Sequence, residues 1–119
     1  MRCSPVVDSL QFLIMVDSAL RRADLLALVL HRFPDAIAMT ENSCDLRANW
    51  VEVWANEEAD ATRSDGPDGY RYYPWRLEAT PMNGRVTRDE QVALARKLRD
   101  VFVDAGGRAS IRADFEVRV

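Results

Sequence analysis

The run Trp50-Val51-Glu52-Val53-Trp54 sets one carboxylate between two indoles. Side chains on a strand alternate between faces. An extended chain here puts Trp50, Glu52 and Trp54 on one side and Val51, Val53 and Ala55 on the other. Glu52 could act as a base if a cavity closed over it. The plainer role is an ion pair with an arginine on a neighbouring strand. No motif sets a second acid–base group beside Glu52, so no catalytic residue is assigned.

A second stretch, residues 70–79, reads as the partner strand. It places Tyr73, Trp75, Leu77 and Ala79 on one side and Tyr70, Tyr72, Arg76 and Glu78 on the other. Pro74 cannot donate to a ladder, so it marks a bulge or an edge-facing position. A one-residue slip there would exchange the two faces. The aliphatic sides of the two strands share a core. The other sides collect two tryptophans and two tyrosines beside charged groups, which is neither a core nor an ordinary solvated surface.

Other candidate chemistries are weaker. His31 is the only histidine, and it lies well round from the apolar stripe of its helix. Its available role is to favour the helix C-terminus when protonated. One histidine and two distant cysteines, Cys3 and Cys44, match no zinc spacing. Nothing places either cysteine beside His31 as a nucleophile pair. Asp60, Asp65 and Asp68 do not follow the spacing of the calcium-binding loop. Gly106-Gly107 ends a helix rather than cradling a phosphate. No metal and no cofactor is expected.

The elements that must position the aromatic residues follow from periodicity. Residues 10–16 form a strand with Leu10, Phe12, Ile14 and Val16 on one face and Gln11, Leu13 and Met15 on the other. Apolar residues on both faces indicate a central strand. Asp17 or Ser18 can cap a helix over 19–33, with Ala23, Leu26, Val29, Leu30 and Phe33 as its stripe, widened by Leu25 and Leu28. Pro34 ends that helix. Residues 36–40 form a short strand, with Ile37 and Met39 on one face, and 41–48 a polar connection. The hairpin described above follows, joined by a long loop rich in turn residues, 57–69, of the kind that is often mobile. Thr87-Arg88-Asp89-Glu90 is a capping box opening a helix over 88–105, and Gly106 closes it. Residues 109–119 alternate without a break, giving a last strand with one buried face.

This order, β-α-β-β-β-α-β, predicts one α+β domain over 1–119 with a loosely held start at 1–9. Two helices cover one face of a mostly antiparallel sheet, a two-layer sandwich. The architecture resembles the ferredoxin-like split βαβ arrangement with an additional strand. The resemblance implies no activity, because that fold hosts many.

The chain has 119 residues, enough for one domain, and 48% hydrophobic with 29% charged residues is the balance of a globular protein. A net charge of -3 speaks against nucleic acid as partner. The aromatic motif of sheet-type RNA binders is absent. Charge is uneven: 57–69 carries -4 and the chain from Tyr70 onward +3. Opposite signs on one domain can orient self-association or a partner. No run reaches the length of a membrane span, and the start does not read as a signal peptide. Free thiols in a reducing cytoplasm are the expectation.

With both helices on one face, the opposite face collects Leu13, Met15, Trp50, Glu52, Trp54, Tyr70, Tyr72 and Arg112. A large exposed apolar patch on a small soluble protein marks an interaction surface. The expected function is non-enzymatic binding through this face, with a second copy packed on it as a homodimer, unless residues 41–48, the acidic loop or the N-terminal segment fold over it within one chain. A regulatory or accessory role, including neutralising a partner protein, fits that reading. The alternative is a small apolar or aromatic ligand, or a cofactor-independent enzyme, with its pocket over the same face.

Overall fold

The computed structural model describes residues 10–115. Six strands and two helices follow in the order β1 (Phe12–Asp17), α1 (Arg22–Arg32), β2 (Ile37–Thr40), β3 (Ser43–Leu46), β4 (Asn49–Ala55), β5 (Trp75–Pro81), α2 (Arg88–Asp104) and β6 (Arg108–Ala113). Two 3-10 turns, Ala61–Arg63 and Gly69–Tyr72, lie between β4 and β5. The expectations for 1–9, Cys3 included, and for 116–119 fall outside the described residues. No described helix is long and apolar enough to cross a membrane.

The strands form a single sheet in the order β2-β3-β4-β5-β1-β6, and every neighbouring pair is antiparallel. β1 is a central strand, as its two apolar faces imply. Phe12, Ile14 and Val16 of β1, Cys44 and Leu46 of β3, Val51 and Val53 of β4, and Leu77 and Ala79 of β5 share one core with both helices. The molecule is thus an α+β two-layer arrangement with both helices on one sheet face.

The ferredoxin-like order is corrected. Four strands, not three, separate the helices, because 41–48 is no polar connection. Cys44 and Leu46 are buried towards the helices while Ser43 and Asp45 turn the other way, so this short segment alternates as a strand must. Its polar composition hides the pattern. The added strand extends the sheet into a four-stranded meander, β2 to β5, whose consecutive neighbours pair through short turns and the long loop.

The turn into β4 is two residues long, and both have positive φ: Arg47 at 51° and Ala48 at 64°. That is the type I′ pattern, whose twist matches a hairpin and which favours Asn-Gly. Here the chain uses neither residue. Arg47 earns its place through its side chain, whose guanidinium carbon lies 5.1 Å from the Phe33 ring centre and whose Nε sits 3.2 Å from Asp35 Oδ2. No comparable contact calls for the Cβ of Ala48.

The helices differ from expectation at α1 alone. It starts at Arg22 without a side-chain cap, because Ser18 Oγ accepts from the Leu20 N–H instead. Its buried side chains, Leu25, Leu26 and Val29, belong to the expected stripe, but Ala23 is exposed. α2 carries the capping box as read: Glu90 N–H donates to Thr87 Oγ1 at 3.2 Å and Thr87 N–H to Glu90 Oε1 at 2.9 Å. Hydrogen bonds from Thr87 hold the Glu90 carboxyl below its ordinary value. Gly106, at φ 93°, follows the helix end.

Inside the core sits a polar pair that apolar periodicity passes over. Asn49 and Gln91 are both buried. Asn49 Nδ2 donates to Gln91 Oε1 at 3.0 Å, and Gln91 Nε2 donates to Asn49 Oδ1 at 2.8 Å. The remaining donors go to the Arg47 and Leu10 carbonyls. Every amide proton is thereby used, which is what makes burial tolerable. The pair ties α2 to the starts of β4 and β1. Gln91 lies on the same helical line as Leu94, Ala95 and Leu98, so its position was readable even though its polarity argued against burial.

Two outcomes are expected in urea denaturation. Ala48→Gly should raise stability by about 0.5–1 kcal/mol, since relief of left-handed strain exceeds the added unfolded-state freedom. Asn49→Leu and Gln91→Leu should each cost roughly 1–3 kcal/mol by orphaning the other amide, and the double variant should cost less than the two combined.

Candidate interaction face of the sheet

The helix-free side of the sheet is built by strand register. One row runs Ile37, Asp45, Trp50, Thr80 from β2 to β5. The next runs Ser43, Glu52, Glu78, Leu13, Arg112 from β3 to β6. A third runs Trp54, Arg76, Met15, Ser110. Leu13, Met15, Trp50, Glu52, Trp54 and Arg112 therefore do share a face. Their neighbours on it differ from expectation.

Tyr70 and Tyr72 do not stand on a strand. Residues 69–72 form a 3-10 turn, and β5 begins only after Pro74. β5 lies between β4 and β1, so a proline at position 74 within it would remove a ladder bond from an interior strand, whereas Pro81 stands at the strand's end beyond its last pair with β1. The strand therefore starts at Trp75, after the proline, rather than at Tyr70, and its expected facing is kept for Arg76 and Glu78. Tyr72 packs within the loop, under the Arg63 guanidinium at 4.3 Å from the ring centre.

The loop at 56–74 folds back over the β1–β6 half of the face. Its second 3-10 turn packs on β1. Arg112 lies over Tyr70 at 4.8 Å and Arg108 over Tyr73 at 5.0 Å. Arg108 also reaches Asp17 Oδ2 at 2.6 Å, Asp65 Oδ1 at 3.0 Å and Ser64 Oγ at 3.3 Å. Asn56 Nδ2 donates to the Arg71 and Tyr73 carbonyls, closing the loop on itself. Gly69 is needed because a Cβ would meet the Ser64 carbonyl oxygen at 2.0 Å. Beneath this cover Met15 is only 6% exposed. The expected aromatic surface is thus divided: one half is covered by the chain's own loop.

The other half, on β3, β4 and β5, stays open. Trp54 is 39% exposed and Ile37 60%, while Trp50, Glu52, Arg76 and Glu78 are half-buried. Glu52 and Glu78 stand directly opposite each other. Like charges in that relation destabilise a sheet. Arg76 Nε approaches Glu78 Oε2 at 2.9 Å, close in distance but out of line for a hydrogen bond, so it counts as an ion pair only. Glu52 makes no ion pair among the described residues, and the cross-strand arginine expected for it is absent. Asp45, missed because 41–48 read as a connection, adds a third carboxylate to this half.

The remaining candidates are occupied or ill suited. Burial, with Asp45 second, pushes the Cys44 thiol from its ordinary 9.0 up to about 11, which keeps it protonated and unreactive at neutral pH. His31 is exposed on α1. Asp60 accepts from Thr62 N–H and Oγ1, and these bonds hold its carboxyl below the ordinary value. Asp65 is taken up by Arg108. Among the described residues no three histidine, cysteine or carboxylate side chains gather as a metal site.

Glu52→Gln should raise stability by about 0.2–1 kcal/mol in chemical denaturation, because it removes the repulsion from Glu78. A stabilisation on deleting a charge would identify a side chain not placed there for the fold. The chain matches no protein-family model, no curated protein and no solved structure.

Proposed function

We propose that this is a non-enzymatic binding protein that works through the β3–β5 half of its helix-free sheet face. One observation carries the reading: Glu52, flanked by two indoles, faces Glu78 and makes no ion pair among the described residues. A sheet that opposes two carboxylates gives up stability, and such departures from local preference collect at functional surfaces. Tryptophan adds large contact area with one polar handle, the property that enriches it at interfaces. The loop over β1 and β6 supports the reading further, since it packs on that half and leaves this part open. The buried free thiol of Cys44 goes with a reducing, cytoplasmic setting.

An open face on which Glu52 and Asp45 make no ion pair among the described residues favours recognition over catalysis. Acid–base chemistry needs a group poised against a substrate in an enclosed site.

A photo-crosslinking side chain at position 54, in the full chain expressed in its source cells, should give discrete adducts. The same side chain at the exposed Val103 of α2 should give none. An adduct of twice the chain mass would identify a second copy, the homodimer expected from the sequence. Adducts from position 103 with none from position 54 would overturn the reading.

A further inference from the structure

The fold's own arginines show what its aromatic rings take as neighbours. Arg63, Arg108 and Arg112 each lie over a tyrosine, and Arg32 and Arg47 both lie over Phe33, at 4.3–5.3 Å from the ring centres. Trp50 and Trp54 carry no such cation among the described residues, although indole is the best of these rings for one. Among the described residues, Asp17, Asp24, Asp35, Glu41, Asp65, Glu78 and Asp100 each have an arginine within ion-pair distance; Glu52 is one of the carboxylates that do not, and Asp45 on the same half of the face is another. Trp50, Glu52 and Trp54 stand on one face of one strand, each about 7 Å from the next, so two rings and a carboxylate without an arginine lie side by side.

Resting on the binding face proposed above, we infer that its partner is a different protein with a basic surface. An arginine of that partner enters between Trp50 and Trp54 and pairs with Glu52. A guanidinium suits the place because it stacks flat on an aromatic ring while its edge forks onto a carboxylate. The surrounding charge agrees: Asp45, Glu52 and Glu78 face Arg76 alone on this half. A second copy meets it poorly. Two-fold packing of the face on itself sets six carboxylates against two guanidinium groups, and burying unpaired carboxylates is strongly unfavourable. A free polyamine would answer the charge but leave Trp54 and Ile37 uncovered.

Tryptophan fluorescence of the purified full chain tests this with four probes. They are a short peptide with arginine at alternate positions, its citrulline counterpart, its glutamate counterpart, and spermine. The arginine peptide should quench the emission, and added salt should weaken the effect. Glu52→Gln and Trp54→Ala should each weaken its binding roughly fivefold to tenfold, whereas Asp100→Asn on the helix side should change it by less than about twofold. Glu52→Gln should melt no lower than the parent, so that lost binding is not lost fold. Should that variant fail to fold, Trp54→Ala reports the same contact from an exposed position.

Equal weakening by Glu52→Gln and Asp100→Asn would overturn the inference, as would equal binding of the citrulline or glutamate peptide or of spermine. A stable dimer in light scattering, dissociated by Trp54→Ala, would overturn it in favour of a second copy. In each of these cases adducts from position 54 would still support the binding face. Their absence would remove both proposals.

Discussion

The two-residue alternation of β4 is the constraint on which everything else depends. Val51 and Val53 are completely or almost completely buried beneath the helices. Burying an aliphatic side chain of that size contributes about 1.5–3 kcal/mol. Opposing Glu52 and Glu78 costs less than about 1 kcal/mol. The core therefore decides the register, and the tryptophans and the glutamate go outward with no further instruction. A slip by one residue would drive Trp50, Glu52 and Trp54 under the helices, exchanging two well-packed valines for a buried charge.

Polar groups then fix what apolar packing leaves loose. The Asn49–Gln91 amide pair joins the first turn of α2 to the beginning of β4, one residue from Trp50. Its remaining protons bind the carbonyl of the positive-φ turn and that of Leu10 just before β1. Apolar contacts tolerate small shifts, but two reciprocal amides have one satisfying geometry. The pair thus holds the strand that carries the candidate face against the helix behind it. It also holds a turn whose residues would not choose its conformation on their own.

Electrostatics divides the helix-free face into two unlike halves. On β1 and β6 every projecting arginine is used within the chain: Arg108 and Arg112 hold the acidic loop by ion pairs and by tyrosine stacking. On β3 to β5 the balance reverses, with three carboxylates, one arginine, the exposed Trp54 and the half-buried Trp50. One loop carboxylate, Asp65, is thereby paired with the basic C-terminal half of the chain. What remains for an outside partner is aromatic and acidic.

Alternation and capping were local properties, and the chain declared them plainly. The inward valines and outward tryptophans of β4, the central placing of β1 and the Thr87–Glu90 box follow from residues a few positions apart, whose spacing alone sets their direction. Pro74 warned that the tyrosines before it need not stand in the strand, but not where they would go. Tertiary contacts settled the rest. β3 became a strand because Cys44 and Leu46 found room under the helices, which four residues of mixed polarity cannot announce. The loop closed over half the face because Arg108 lies 91 positions from Asp17 in sequence yet beside it in space. Glu52 met Glu78 rather than an arginine because pairing between strands joined by a long loop is set by the whole sheet. Properties that one segment can satisfy alone were legible; those that needed two distant segments to meet were decided only by the fold.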